Sequence, residues 1–412
     1  MASVDAMKKL AGVLTGGHTA STMINYILKE PTPTVASQTK RYGVIKLTQD
    51  VHAHFFVSCV QEEGQQPKAP RKRDPASHLK WVAELVAQSQ KVYSCYEAGP
   101  TGFSLHRQLT QLGVENIVIA PTRLDEQGKR VNNDKTDTLQ LAGRLDRYVA
   151  GNKRIFTVVR IPTEAEEQRR AWPRQRKQLQ GQRLSLASQG RSLVLTQGVA
   201  IDNLWWQEAK WKRHQKDLAP WLLAHLAIFR GVILALDEAM DQIDQRMLCE
   251  CQARAQAQAG PNPAAAAKPK DEAPEKQPTG PRPKWAGELS LEAIESEVCD
   301  WQRFGSWRKA GSYCGLTGGV SASGQSHSDL SITKVGNRRL RTALIEMAWR
   351  LALHQPDYWL TKKWAPILSP KFKAHRRGRK KAIVAYARQL FVDLWRWKTG
   401  RITAERLGWE MC

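Results

Sequence analysis

No stretch of this 412-residue chain approaches the roughly 18 consecutive apolar residues that span a bilayer, and no apolar signal core opens it, so neither membrane insertion nor export is expected. Paired C-x-x-C units are missing as well. The seven cysteines (Cys59, Cys95, Cys249, Cys251, Cys299, Cys314, Cys412) are odd in number and scattered, which argues against a disulfide framework or structural zinc and for a reducing cytoplasm. Cys249 and Cys251 stand close together without His or Cys partners at ligand spacing. Acidic residues are scarce: 39 Asp and Glu face 63 Lys and Arg, giving a net charge of +24. Such an excess points to a polyanionic partner, and its clustering disfavours a basic surface kept only for solubility.

Large apolar residues are almost absent from 252–283, where Ala, Gln, Pro and Lys recur. That composition cannot bury enough surface to fold and is expected to be a flexible linker. Residues 1–40, with Pro31 and Pro33, are expected to be a loosely ordered extension with one short helix near Thr22–Leu28.

What is present divides into three regions. From Tyr42 to about 160 the runs YGVIKLTQ and VHAHFFVSCV are strand-like, either a hairpin or successive strands, with Asp50 where they meet. An amphipathic helix over about 77–90 follows, then strand KVYSCYE, helix FSLHRQLTQLG, strand NIVIAP and a helix over about 133–150; this alternation indicates an α/β domain over 41–160. After Pro162 two long helices are expected, over 163–197 and about 219–258, forming an antiparallel or coiled-coil arm (161–251). The first opens with a capping box of Thr163 and Glu166. The Trp cluster between them (Trp205, Trp206, Trp211, Trp221) is expected in a core. Residues 284–412 are expected to form a mostly helical C-terminal domain, making the whole chain α/β plus α.

Four acids stand out by position: Asp50 and Glu97 at strand ends, Asp134 and Asp137 at a helix start. Strand ends and helix starts are where α/β sheets build sites. Asp134 and Asp137, spaced i and i+3, share a helix face and can bind one hard cation such as Mg²⁺. An acid in a first helical turn can also merely complement the dipole. A local acidic group in so basic a chain favours the cation.

RYGVIKLTQDVHAHFFVSCV, CYEAGPTGFSLHRQL and NNDKTDTLQLAGRL are similar, in order and spacing, to the three blocks of the RuvC-like (ribonuclease H-like) domain of DEDD transposases, the bacterial insertion-sequence enzymes also called bridge recombinases. The first block departs from the usual pattern, with Thr48 and Gln49 leading into Asp50. The resemblance implies that Asp50, Glu97, Asp134 and Asp137 hold Mg²⁺ and act on DNA.

Residues 311–350 combine a small-residue loop with a helix beginning near Val335. By itself the loop is either a flexible turn or a phosphate-approaching segment. It also resembles the second domain of the same family, where a serine before a glycine attacks the DNA phosphate; that serine would be Ser323, with Ser321, Ser326 and Ser328 nearby. Such a hydroxyl needs an activating base or metal. Gly318 and Gly319 replace a proline and a polar residue of the family pattern, and Pro283–Gly287 stands in place of a Pro-Gly-x-Gly turn. Lys334, Asn337, Arg338, Arg339 and Arg341 around the helix start, and Arg376, Arg377, Arg379, Lys380 and Lys381 in the run KFKAHRRGRKK, are candidates for nucleic-acid contacts.

The resemblance spans about 41–160 and 284–400. It further implies DNA strand exchange through a phosphoserine, a structured noncoding bridge RNA pairing with donor and target DNA, a dimer or tetramer with composite sites, and a cytoplasmic, nucleoid-associated protein. Two other functions stay open on the residues: a RuvC-type nuclease using metal-activated water, and a non-catalytic nucleic-acid-binding protein.

Overall fold

A computed structural model describes residues 41–121, 133–259, 281–323, 326–368 and 376–412. The chain divides into two compact units, one ending at Ile161 and the other starting at Pro162.

The first unit is built on a five-stranded sheet in the order β3-β2-β1-β4-β5. β1 (Tyr42–Val51) and β2 (Phe56–Glu62) form the hairpin, β3 (Arg71–Arg73) extends it antiparallel, and β4 (Ser89–Glu97) and β5 (Glu115–Ile119) add parallel to the other side of β1. Alternation along β1 separates two faces. Ile45 and Leu47 join Leu79 and Val82 of α1 (Pro75–Gln88) and Leu105 and Leu109 of α2 (Ser104–Gln111) in one core. The opposite face meets α3 (Asp134–Val149), whose Leu141 and Leu145 pack on Cys95, Ile119 and Phe156.

Thr48 and Gln49, which lead into Asp50, are both buried and each has a partner. Thr48 Oγ1 donates to the Thr138 carbonyl of α3 at 2.9 Å. Gln49 lies in a polar row crossing the other face: His78 Nε2 is 2.7 Å from Gln49 Oε1, Gln49 Nε2 donates to Ser94 Oγ, Ser94 Oγ to Asn116 Oδ1, and Asn116 Nδ2 lies 2.8 Å from His106 Nδ1. Burial, with Arg73 nearby, pushes His78 down to about 4, so its ring is neutral.

The second unit is mostly helical. α4 (Glu164–Leu195) opens with the capping box, Thr163 Oγ1 accepting from Glu166 N and the Glu166 carboxylate accepting from Thr163 N. After α5 (Glu208–Asp217), α6 (Pro220–Ala259) packs along α4 through Ala187, Val194, Leu226 and Ile233. Gly190 is required there: a Cβ at that position would lie 2.5 Å from the Trp205 ring. Trp205, Trp206 and Trp211 are buried as expected, whereas Trp221 is 49% exposed. α6 runs past 252 to Ala259, so the first residues of the expected linker are helical. Residues 260–280 of it and the expected extension 1–40 lie outside the described residues, while 281–283 are described and Pro283 bridges Met411.

α7 (Glu288–Val298) is joined to α4 by two forked ion pairs, Arg169 on Glu292 and Arg174 on Glu297, all four bonds at 2.7 Å. Next come α8 (Trp307–Tyr313), β6 (Gly318–Ser323), β7 (Ser326–Ile332), α9 (Arg338–His354), α10 (Trp359–Leu368), α11 (Arg376–Lys398) and α12 (Ala404–Leu407). Leu340, Leu344, Met347 and Leu351 of α9 pack with Tyr386, Leu390, Phe391 and Leu394 of α11 in the largest core.

One expectation is corrected. The small-residue segment after Gly315 is a two-stranded antiparallel ribbon rather than a loop, with Val320 paired to Asp329 and Ser323 to Ser326. Ser, Gly and His have little strand preference, so the backbone ladder, not side-chain pattern, defines it. No helix among the described residues is long and apolar enough to cross a membrane.

Candidate active site

The α3-facing side of β1 carries Lys46, Thr48 and Asp50 at the two-residue period of a strand. Each meets α3 in turn. Lys46 Nζ binds Asp146, Thr48 binds the Thr138 carbonyl, and Asp50 faces Asp134 at the helix start. Asn133 sets that start, its side chain accepting from Thr136 N. Beyond β1 the chain turns sharply, His52 N donating to the Phe55 carbonyl at 3.0 Å and the two rings lying 4.5 Å apart. The turn aims the imidazole back at the strand end. His52 Nε2 lies 3.3 Å from Oδ2 of both Asp50 and Asp134, and is shielded from solvent.

Ligand atoms of Asp50, His52 and Asp134 thus lie within 4.8 Å of one another. Among the described residues no Lys or Arg pairs with either carboxylate, and burial, reinforced by Asp134, raises the Asp50 pKa even though His52 opposes the shift. Two carboxylates facing each other and an imidazole nitrogen form a donor set that fits a divalent cation. Glu97 ends β4 one position beyond Tyr96, which pairs with Gln49, so the continued register puts Glu97 beside Asp50 on the adjoining strand. Asp137 lies in the first turn of α3, one turn on from Asp134. Neither belongs to the tight cluster, yet both border it. Sequence reasoning misses His52 because only the turn after β1 brings it to Asp134.

In the second unit Ser323 is the last residue of β6, at the tip of the ribbon, and its side chain lies outside the described residues. The basic candidates divide by what they already bind. Asn337 caps α9, accepting from Arg339 N and Leu340 N, and donates to Glu297 Oε2 at 2.6 Å. Arg341 donates to the Cys314 and Lys334 carbonyls, and Arg379 to the Leu368 carbonyl. Asn337 is thereby committed to the helix cap, whereas Arg341 and Arg379 are positioned by neutral carbonyls and keep their charge. Lys334, Arg338, Arg339, Lys380 and Lys381 are exposed, and Arg376 and Arg377 open α11 with side chains outside those described.

Residues 286–364 match the model of the transposase IS116/IS110/IS902 family. Putative transposase y4rJ of Sinorhizobium fredii (strain NBRC 101917 / NGR234) is 30% identical over 330 residues, covering 75% of this chain and 77% of that protein. The chain belongs to the IS116/IS110/IS902 transposase family. A second putative transposase of that organism, y4qE, is 28% identical over 65% of this chain and 60% of its own length. The transposase for insertion sequence element IS1533 of Leptospira borgpetersenii is 32% identical over 109 residues, 26% of this chain and 30% of its own. This transposase is accordingly a DNA-recombining enzyme whose substrates are DNA. The stretch matching the family model runs from Ala286, just before α7, to Trp364 within α10, and so includes Ser323 and the basic start of α9.

Proposed function

We propose that the chain cuts and rejoins DNA through a transient phosphoserine bond at Ser323, with Mg²⁺ held by Asp50, Glu97, Asp134 and Asp137 on a RuvC-like sheet. The observation that carries it is the Asp50–His52–Asp134 cluster, two carboxylates turned on each other in a chain of net charge +24. A bound cation would offset charge developing on the transferring phosphoryl group and leaving oxygen. The serine supplies the nucleophile. Its Oγ bonds to phosphorus and gives up its proton to a base, while the bond from phosphorus to a deoxyribose oxygen breaks and that oxygen takes up a proton. Attack on the phosphoserine by a second strand's hydroxyl forms the new phosphodiester as the bond from phosphorus to Oγ breaks, the hydroxyl's proton passing to a base and Oγ regaining one, so no phosphodiester is lost to water. Exposed Lys334, Arg338, Arg339, Lys380 and Lys381, with Arg376 and Arg377, hold strand phosphates.

Resemblance to the bridge recombinases extends the proposal to a guiding noncoding RNA, a dimer or tetramer, and action at the nucleoid. RNA that copurifies and pairs with the element's ends, and the solution mass of the complex, test those parts. The chemistry is tested by denaturing electrophoresis and peptide mass spectrometry after incubation with DNA spanning an element end. A Mg²⁺-dependent adduct mapping to Ser323, absent from Ser323→Ala, is expected. Cleavage that survives Ser323→Ala without any adduct would instead assign the attack to metal-activated water.

A further inference from the structure

We infer that the second unit holds one unpaired DNA nucleotide in the open cavity between the β6–β7 ribbon and helices α10 and α11, its base on Trp364 and its phosphates on Lys380, Lys381 and Arg388. The site presupposes that the chain handles DNA, and adds a pocket for a base to a surface so far assigned only to phosphates. The cavity measures about 830 Å³, within the size of pockets that bind small organic molecules. Its floor is apolar: Ile332 from the ribbon, the half-buried Trp364 of α10 and Val384 of α11. Its rim is cationic. Lys363, Lys380, Lys381 and Arg388 all line it, and among the described residues none of them makes an ion pair with a carboxylate. The Arg388 guanidinium is partly withdrawn against Gly311, with Nε shielded from solvent and without a hydrogen-bond partner among the described residues.

An apolar floor alone would suit many occupants. Four cations around it, uncompensated, exclude an apolar protein segment and complement a group that is flat and apolar at one end and anionic at the other. A nucleotide has that form: bases stack on aromatic rings irrespective of sequence while Lys and Arg track the backbone. The position also fits strand exchange, which leaves bases transiently unpaired. β6 forms one wall and carries Ser323 three residues beyond Val320, roughly 10 Å along the strand. A base seated in the cavity would hold the same DNA strand near the serine.

The test uses the full chain with a single-stranded 20-mer carrying one bromodeoxyuridine, the same sequence as a blunt duplex, and the RNA equivalent. Irradiation should crosslink the single strand to Trp364, located by peptide mass spectrometry, and should not crosslink the duplex there. Trp364→Ala should weaken single-strand binding by about tenfold while duplex binding is unchanged. Because that variant removes packing, Ala385→Trp serves as a second: Ala385 is exposed, lines the cavity, and a large side chain there should fill it with the same selective loss. Equal losses for single strand and duplex, no crosslink at Trp364, or an RNA strand crosslinked at Trp364 in preference to DNA would each overturn the inference. If wild type binds no DNA in any form, the proposed function fails with it; if duplex binding persists without the single-strand effects, only the pocket fails.

Discussion

The two units each hold a set of acids, those of α7 and those where β1 meets α3, in opposite ways. In the second, Glu292 and Glu297 of α7 are 6% and 3% exposed and each is forked by an arginine, Arg169 and Arg174. Burial pushes both carboxyls up, but the guanidiniums more than reverse this and hold them below the usual range. In the first unit Asp50 faces Asp134 with only His52 between, and its pKa is raised. A chain with 63 Lys and Arg does not lack cations to place there. The contrast sets acids whose charge is answered by arginine, which hold helices together, against a pair that no Lys or Arg answers among the described residues, the arrangement that the proposed cation site requires.

The largest expected effect comes from the unanswered pair. Asp134→Asn should lower DNA cleavage by about 10³-fold, roughly 4 kcal/mol of transition-state stabilisation, while the thermal midpoint is unchanged or slightly higher. A matched loss of stability would place Asp134 with the structural acids. Next in size is the answered pair: Arg174→Ala leaves Glu297 buried without its cation and should cost about 3 kcal/mol in denaturant unfolding of the second unit. The first unit's cation affinity should not move. If it did, the two classes of acid would not be independent.

A smaller effect is expected at His52. His52→Ala should weaken divalent-cation binding by about tenfold, as loss of one ligand or orienting neighbour does, with the acids still present. Unchanged affinity would make the imidazole a bystander. The smallest is a difference in pH dependence. Glu292 and Glu297, depressed in the folded state, contribute stability that is present above their unfolded value of 4.5 and lost as pH falls below it through their folded values. Asp50, raised, has the opposite sign: its contribution to stability declines as pH climbs from 3.8 through the folded value. Asp50→Asn should therefore raise the unfolding midpoint slightly at neutral pH and leave it unchanged at pH below 3.8. A lower midpoint at neutral pH would contradict the raised pKa.

Short-range signals in the sequence carry much of this arrangement. The Thr163–Glu166 box and the Asn133–Asp134 helix start depend on neighbours within three residues and are legible in the sequence alone. The strand alternation that puts Lys46, Thr48 and Asp50 on one face is also a short-range pattern. What stays hidden depends on distance along the chain. Arg169 and Glu292 stand 123 residues apart, and nothing near either one marks the pair. His52 reaches Asp134 only after the chain turns at Phe55, and the serine-rich ribbon owes its form to backbone pairing that composition does not encode. The cavity on Trp364 likewise joins a ribbon and two helices, none of which signals a pocket by itself.

The central claim, that the acids on β1 and α3 await a cation, is tested most directly by titrating the full-length protein with Mn²⁺ and following free ion by electron paramagnetic resonance. Wild type should remove Mn²⁺ from solution at a saturable site, Mg²⁺ should compete for it, and Asp50→Asn and Asp134→Asn should each abolish it without unfolding the protein. No saturable binding by wild type, or the same binding by both variants, would contradict the account.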